Sequence, residues 1–193
     1  MTLPADPNLP AWAVRLIGDL ETSDRRANEV ARGLDAAQIN WKPSEGVWSV
    51  GQCLQHLLAT NDVYLPPIAH ALDGGTKAPV REITPGWFGR WFIRTYIEPT
   101  PRTSKARAPG KIAPAQHIDP AVLDLFLRSN GAVRDLVRRA AAYDVNRMRF
   151  KNPFVPLLRF TVGTGLVIVS RHQHRHLLQA EGIRHAAPFA AAR

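Results

Sequence analysis

Apolar residues recur along the chain at spacings of three, four and seven in four separate segments, the period of amphipathic helices. In the first, Trp12, Leu16, Leu20, Ala27, Val30 and Leu34 share a face; Asn8 and Pro10 mark its start and Gly33 its end. The second opens on Ser49-Val50-Gly51-Gln52, a capping box with Ser49 as N-cap and Gln52 at N3, and Trp48 and Cys53 occupy the staple positions. It continues through Leu54, Leu57, Asn61, Tyr64 and Ile68 to Gly74-Gly75. Pro66-Pro67 inside it predicts a kink or a break. The third starts at Asp119-Pro120, an N-cap and N1 proline, with Val122, Phe126, Val133, Val137 and Ala140 as its seam. The fourth is expected from near Pro156, with Leu158, Val162, Gly165, Val169, His172, His176 and Ile183 on one face. Gly163 and Gly165, costly inside a helix, point to close packing; the glycine pattern of a dinucleotide loop is absent.

Four such helices without alternating strand patterns predict an all-α fold, an antiparallel four-helix bundle. The Asn40 to Trp48 connection is rich in turn residues. An insert of about 75–118 separates the second and third helices, long enough to take the topology away from simple up-down-up-down. Within it, Trp87-Phe88-Gly89-Arg90-Trp91-Phe92-Ile93 is too apolar for a solvated loop and predicts a short extra helix, packed across the bundle or against a partner. Arg102, Lys105, Arg107 and Lys111, interleaved with Pro and Gly, predict a mobile basic stretch.

Length and composition fit this frame. The 193 residues are 45% apolar and 21% charged, enough for one domain over 1–193 with a core that needs no disulfide. Cys53 is the single cysteine, which excludes an intrachain disulfide and a multi-cysteine zinc site and suits a reducing compartment. Met1 to Asp6 does not read as a signal peptide. The most apolar run, Phe160 to Ser170, is far shorter than the ~20 residues a spanning helix needs. A soluble, cytoplasmic protein with no membrane partner is expected. The net charge is +9 and the isoelectric point about 10.6. The basic residues are mostly Arg and spread along the chain, so nucleic acid is not the expected main partner, although Trp87, Trp91 and Tyr96 beside the basic stretch have the type that stacks on bases. Core or dimer packing accounts for them more simply.

Three of seven histidines fall in Arg171-His172-Gln173-His174-Arg175-His176. Residues four apart share a helix face, so His172 and His176 can grip one ion, whereas His174 lies about 200° around from His172. The apolar seam runs into both rings, where an unpaired polar group is costly. A metal satisfies them; so do hydrogen bonds to buried side chains or water. A zinc-like site needs a third protein ligand and an open position. His56 is the best candidate, because Gln52, Cys53, Ala59 and Thr60 around it are small or polar; a core histidine with a hydrogen-bond partner is the alternative.

Asn40-Trp41-Lys42-Pro43, then Trp48-Ser49-Val50-Gly51-Gln52 and His56-Leu57, then His172-x-x-x-His176 followed by Leu177, Gln179 and Ile183, resemble the DinB-like superfamily in order and spacing over about half the chain. The resemblance implies a DinB-type four-helix bundle, often a homodimer. It also implies a divalent metal, zinc or nickel among others, on His56, His172 and His176, with no ligand role for His174. Two features depart from it: Gln52 stands where relatives often carry Glu, and the insert exceeds that of compact members.

Three neutral imidazoles leave an ion its full charge, so an open position acidifies a water or a thiol. The resemblance implies either a hydrolase or a thiol-dependent S-transferase acting on a small molecule, some relatives using a low-molecular-weight thiol such as bacillithiol or mycothiol. Asp62, Gln52, Gln179 and Glu181 are the acid–base candidates by proximity along the ligand helices, and Arg175 and Arg184 are candidates for orienting an anionic substrate. Cys53 reads more simply as a small buried residue than as a reactive thiol. The alternative from another class is a non-catalytic helical-bundle interaction protein whose basic Arg102 to Lys111 loop contacts an acidic partner.

Overall fold

A computed structural model describes residues 9–98, 108–155 and 157–188. Four long helices build the bundle: α1 (Ala11–Ala31), α3 (Val50–Leu72), α5 (Val122–Ala140) and α6 (Val162–Ala186). A short α2 (Ala36–Asn40) precedes α3, and α4 (Trp87–Phe92) lies in the insert, continued by a π-helical turn Ile93–Ile97. Among the described residues no helix is long and apolar enough to cross a membrane.

Local signals place the ends. Ser49 Oγ accepts from Gln52 N at 3.1 Å and Gln52 Oε1 accepts from Ser49 N at 3.1 Å, the capping box expected there. Asp35 and Gln38 form a second box on α2. Pro10 occupies the N-cap position of α1, and Gly33 takes φ +77° just past its end; Asn8 lies outside the described residues. Of the kink or break expected at Pro66-Pro67, the break does not occur: α3 runs through both. Pro66 is exposed, so water can take up the carbonyls that the prolines leave unpaired.

Two starts differ from expectation. Asp119 and Pro120 form a turn ahead of α5 rather than its first residues: Asp119 Oδ1 accepts from Ala121 N at 2.8 Å, and the helix begins at Val122. The fourth long helix begins at Val162, not near Pro156. Leu158 precedes it, and β1 (Arg149–Lys151) pairs antiparallel with β2 (Arg159–Thr161), Phe150 opposite Phe160. Each strand is one buried Phe between outward polar residues, a period-2 pattern too short to separate from a helix end. Phe150 then packs where a Cβ on Gly165 would lie 2.6 Å from its ring, which is the close approach that glycine serves.

Two apolar clusters set the directions of the helices. In one, Trp12, Leu16 and Leu20 of α1 meet Ile68 and Leu72 of α3, Val133 and Val137 of α5, and Leu166 and Val169 of α6. In the other, Ala27 and Val30 meet Leu54 and Leu57, Val122 and Phe126, and Leu177 and Ile183. Hence α1 and α6 run one way, and α3 and α5 the other. Consecutive α3 and α5 are parallel neighbours, so the chain must travel back along the bundle between them, which the insert does. Its α4 lies on α6: a Cβ on Gly89 would meet Thr164 at 2.9 Å, and Phe88 and Phe92 pack on Phe160 with centroids 5.9 and 5.1 Å apart. The returning limb is pinned to α2 and α3. Asn40 exchanges two 2.8 Å bonds with the Ile118 backbone, Gln52 Nε2 donates to Ala115 O at 2.8 Å, and Ala115 N donates to Gln55 Oε1 at 2.6 Å. Of the basic stretch, Arg102, Lys105 and Arg107 lie outside the described residues, and Lys111 donates to Pro153 O at 3.2 Å.

Between the two clusters lies a polar layer. Asn130 of α5 is 0% exposed. Its Nδ2 donates to Leu20 O at 3.0 Å and to Asp24 Oδ1 at 2.7 Å. Gln173 Nε2 of α6 donates to Asn130 Oδ1 at 2.9 Å and to Asn61 Oδ1 of α3 at 3.2 Å. Arg134 closes the layer on Asp24. Replacing Asn130 by Ala strands buried groups on two helices, at about 1–3 kcal/mol for each group left unpaired. Asn130→Ala is therefore expected to lower the urea unfolding free energy by about 2–3 kcal/mol; an unchanged midpoint and slope would show that the layer contributes nothing to stability.

Cys53 is fully buried, and burial pushes its thiol up to about 12 from the usual ~8.5. A folded-state pKa above the unfolded value means the folded protein holds the proton, so stability is lost only as pH rises from about 9 towards 12. At pH 8 a disulfide reagent is expected to label Cys53 no faster than the protein unfolds; immediate stoichiometric labelling of the native protein would contradict this burial.

Candidate metal centre

The capping box fixes the start of α3 and sets His56 two turns in, on the buried face. Antiparallel to it, α6 carries His172 and His176 one turn apart. The three rings meet: centroids are 4.9 Å apart for His56–His172, and 4.6 Å for both His56–His176 and His172–His176. One ligand nitrogen from each lies within 4.8 Å of the other two. His174 points elsewhere, its Nδ1 2.8 Å from Arg26 Nη1 on the α1 side.

Hydrogen bonds fix which nitrogens face inward. His56 Nδ1 donates to Ile112 O at 2.7 Å, and His176 Nδ1 donates to Gln179 Oε1 at 3.0 Å. Both neutral rings thus keep a lone pair on Nε2. His56 Nε2 lies 3.2 Å from His172 Nε2. His172 Nδ1 is buried and has no partner. Trp48 packs against the group, 4.8 Å from His56 and stacked on His176 at 5.6 Å.

Burial holds these rings neutral. His172 is pushed well below the usual imidazole range by burial, then by the nearby His176, His56 and Arg175. His176 is lowered to about 3, by burial first and His56 second. His56 is lowered by burial against the opposing bond to Ile112. Neutral imidazole is the state that ligates a cation.

The trio lies in the wall of a cavity of about 300 Å³. Tyr64, Phe92, Tyr96, Ile97, Phe154, Val155 and Ile168 make most of the remainder apolar, and Asn152 and Arg175 also line it. Among the described residues no carboxylate does.

The other sequence candidates separate clearly. Gln179 supports His176. Gln52 is spent on the cap and on Ala115 O, and the second bond needs an amide donor that Glu lacks. Asp62 lies on the exposed side of α3 outside the cavity lining, its carboxyl raised by partial burial. Glu181 is paired with Arg26 at 2.5 and 2.8 Å. Arg184 is not in the cavity wall, whereas Arg175 is. Sequence reasoning missed the Ile112 carbonyl, which nothing local announces. It also missed Asn152, for which Asn152-Pro153 was an available turn signal.

The DinB superfamily model matches residues 19–180 of the chain. No curated protein matches it in sequence. Among solved structures it is similar to YfiT from Bacillus subtilis, described as "a probable metal-dependent hydrolase with an unusual four-helix bundle topology". The TM-score is 0.59 at 16% identity, covering 96% of this chain and 91% of that one, so the likeness is one of fold. With the family pattern spanning all four bundle helices and the three histidines converging from α3 and α6, the chain belongs to the DinB superfamily.

Proposed function

We propose that the protein is a metal-dependent enzyme of the hydrolase or thiol-transfer type, with one divalent ion, zinc or nickel, held by His56, His172 and His176. The observation that carries this reading is the convergence of three neutral imidazoles, two buried and one half-buried, within 4.8 Å in the wall of an apolar cavity. The donor set fits the group. Three nitrogen ligands with a further open position are a common catalytic zinc arrangement, and imidazole also suits nickel. The Ile112 and Gln179 acceptors are the outer supports that orient ligating histidines, and the orphaned His172 Nδ1 marks a polar cost that hydrogen bonding in the protein does not repay. Similarity in fold to a protein described as a probable metal-dependent hydrolase supports the same reading.

Bound there, a divalent ion supplies a Lewis acid that lowers the pKa of a water or a substrate thiol towards neutrality. The chain supplies the rest. Ile112 and Gln179 hold two rings in one tautomer, and Trp48 packs against His56 and His176. The apolar wall lowers the local dielectric and so strengthens electrostatic interactions beside it. Asp62, Gln52 and Gln179 are not among the described residues that line the cavity, so no acid–base role falls to them in this reading. A small-molecule substrate, with a low-molecular-weight thiol as second substrate in the transfer case, fits the cavity volume. A cytoplasmic location belongs to the same reading, the lone buried cysteine fitting a reducing compartment.

Untagged protein is expected to carry about one zinc or nickel per chain by plasma mass spectrometry, and His172→Ala to lose it, since two imidazoles hold such an ion far less tightly than three. No metal in either protein after incubation with zinc and with nickel removes the metalloenzyme reading. Hydrolysis of small esters or amides, as against thiol addition with bacillithiol or mycothiol, separates the two reaction types. The reading also includes a homodimer, for which Trp87 and Trp91 on α4, 75% and 47% exposed, offer apolar surface. Light scattering is expected to give twice the 21.4 kDa chain mass, and a monomer at micromolar concentration would exclude it.

A further inference from the structure

We propose that the cavity is built for a small ligand with an apolar body and a carboxylate, and that Arg175 receives the carboxylate. This rests on the reading of the cavity as the substrate site. The charge inventory of the wall points to it. Arg175, on α6 beside His176, is its one formal charge among the described residues, and no carboxylate lines the cavity. Several arginines at contacts between elements have acidic partners: Arg26 has Glu181, Arg134 has Asp24, Arg139 has Asp73 and Arg171 has Glu98; Arg25 and Arg32 instead bond to Thr22 and Asn28 of α1. Among the described residues Arg175 has no ion pair; its Nη1 donates to the Tyr96 carbonyl at 2.7 Å, which holds the guanidinium at the wall.

A second, independent feature has the same sense. Asn152, 6% exposed, also lines the cavity. Its Oδ1 accepts from Phe154 N and Val155 N, both at 2.8 Å, which settles the orientation of the amide. Its Nδ2 is buried and has no partner. The wall therefore offers an unspent amide donor and a half-buried cation, and no anionic acceptor. A divalent ion on three neutral histidines adds positive charge only. A cationic ligand is repelled by this field, and an uncharged one leaves the guanidinium uncompensated. An anionic head answers both, while Tyr64, Phe92, Ile97, Phe154 and Ile168 cover an apolar body.

Phenylacetate and its uncharged isostere phenylacetamide are suitable probes. Their affinities for the full-length protein are measured by calorimetry, once in zinc-loaded protein of known zinc content and once metal-free. The metal-free arm excludes direct ligation of zinc as the source of any preference. In both forms phenylacetate is expected to bind at least about tenfold more tightly, the scale of a charge-assisted hydrogen bond. Arg175→Gln is expected to abolish the preference without changing zinc content, and Arg175→Lys to keep most of it. Asn152→Asp retains the acceptor for Phe154 and Val155 but replaces the donor by a charge, and is expected to weaken phenylacetate by a further factor of about ten or more. Equal binding of the two probes, no binding of phenylacetate at millimolar concentration, or a preference that survives Arg175→Gln in metal-free protein overturns the proposal. Zinc loading without a preference defeats this inference and leaves the metal reading standing; a preference without zinc loading does the reverse.

Discussion

The arrangement depends on one buried polar layer. Asp24, Asn61, Asn130 and Gln173 come from α1, α3, α5 and α6, and hydrogen bonds join them across the bundle interior between two apolar clusters. Apolar packing alone tolerates sliding, since one leucine fills a gap much as another does. A buried amide pair does not, because a shift leaves donors and acceptors unmet at a cost of about 1–3 kcal/mol each. Gln173 reaching both Asn130 and Asn61 sets the height and rotation of α6 against α3. A one-residue slip would turn α6 by about 100° and carry His172 and His176 away from His56. The centre is thus positioned by its sequence neighbour in the core as much as by its own ligands.

Topology supplies the other half of the centre. Because α3 and α5 are parallel neighbours, the chain must return along a helix of 23 residues, about 35 Å at 1.5 Å per residue. That return brings Ile112 to His56 and Ala115 to Gln52. Gln52 is suited to this: its amide accepts in the capping box and donates to the insert at once, which a carboxylate cannot do. The segment that satisfies the connectivity therefore also lines the cavity and supports the His56 ring.

Much of this was legible in the sequence. The capping box at Ser49 and the shared face of His172 and His176 follow from local geometry that tertiary structure did not override. Even the polar layer leaves a trace, because each apolar seam misses a step at one place: between Leu20 and Ala27, at Asn61, between Phe126 and Val133, and between Val169 and Leu177. The hairpin before α6 was not legible, since three-residue strands carry too little periodicity, and its absence put the helix start five or six residues early. The parallel sense of α3 and α5 was open too, because helix periodicity carries no direction.

The centre differs in kind from the surface chemistry around it. Elsewhere the protein matches arginine with carboxylate, at α1–α6, α1–α5 and α3–α5 contacts. Around the histidines it does the opposite. Ligand nitrogens are neutral, the supports on them are a carbonyl and an amide, and the one cation in the wall is held by a further carbonyl. A carboxylate support or ligand would offset the charge of an ion within the protein itself. With only neutral acceptors, the positive charge of Arg175, and of an ion on the histidines in the proposed reading, is left for whatever enters, and the apolar wall lowers the local dielectric around it. In the proposed reading, selection of the ligand by charge and retention of its body by apolar contact are two consequences of the same choice: keeping acidic side chains, among the described residues, out of the cavity wall.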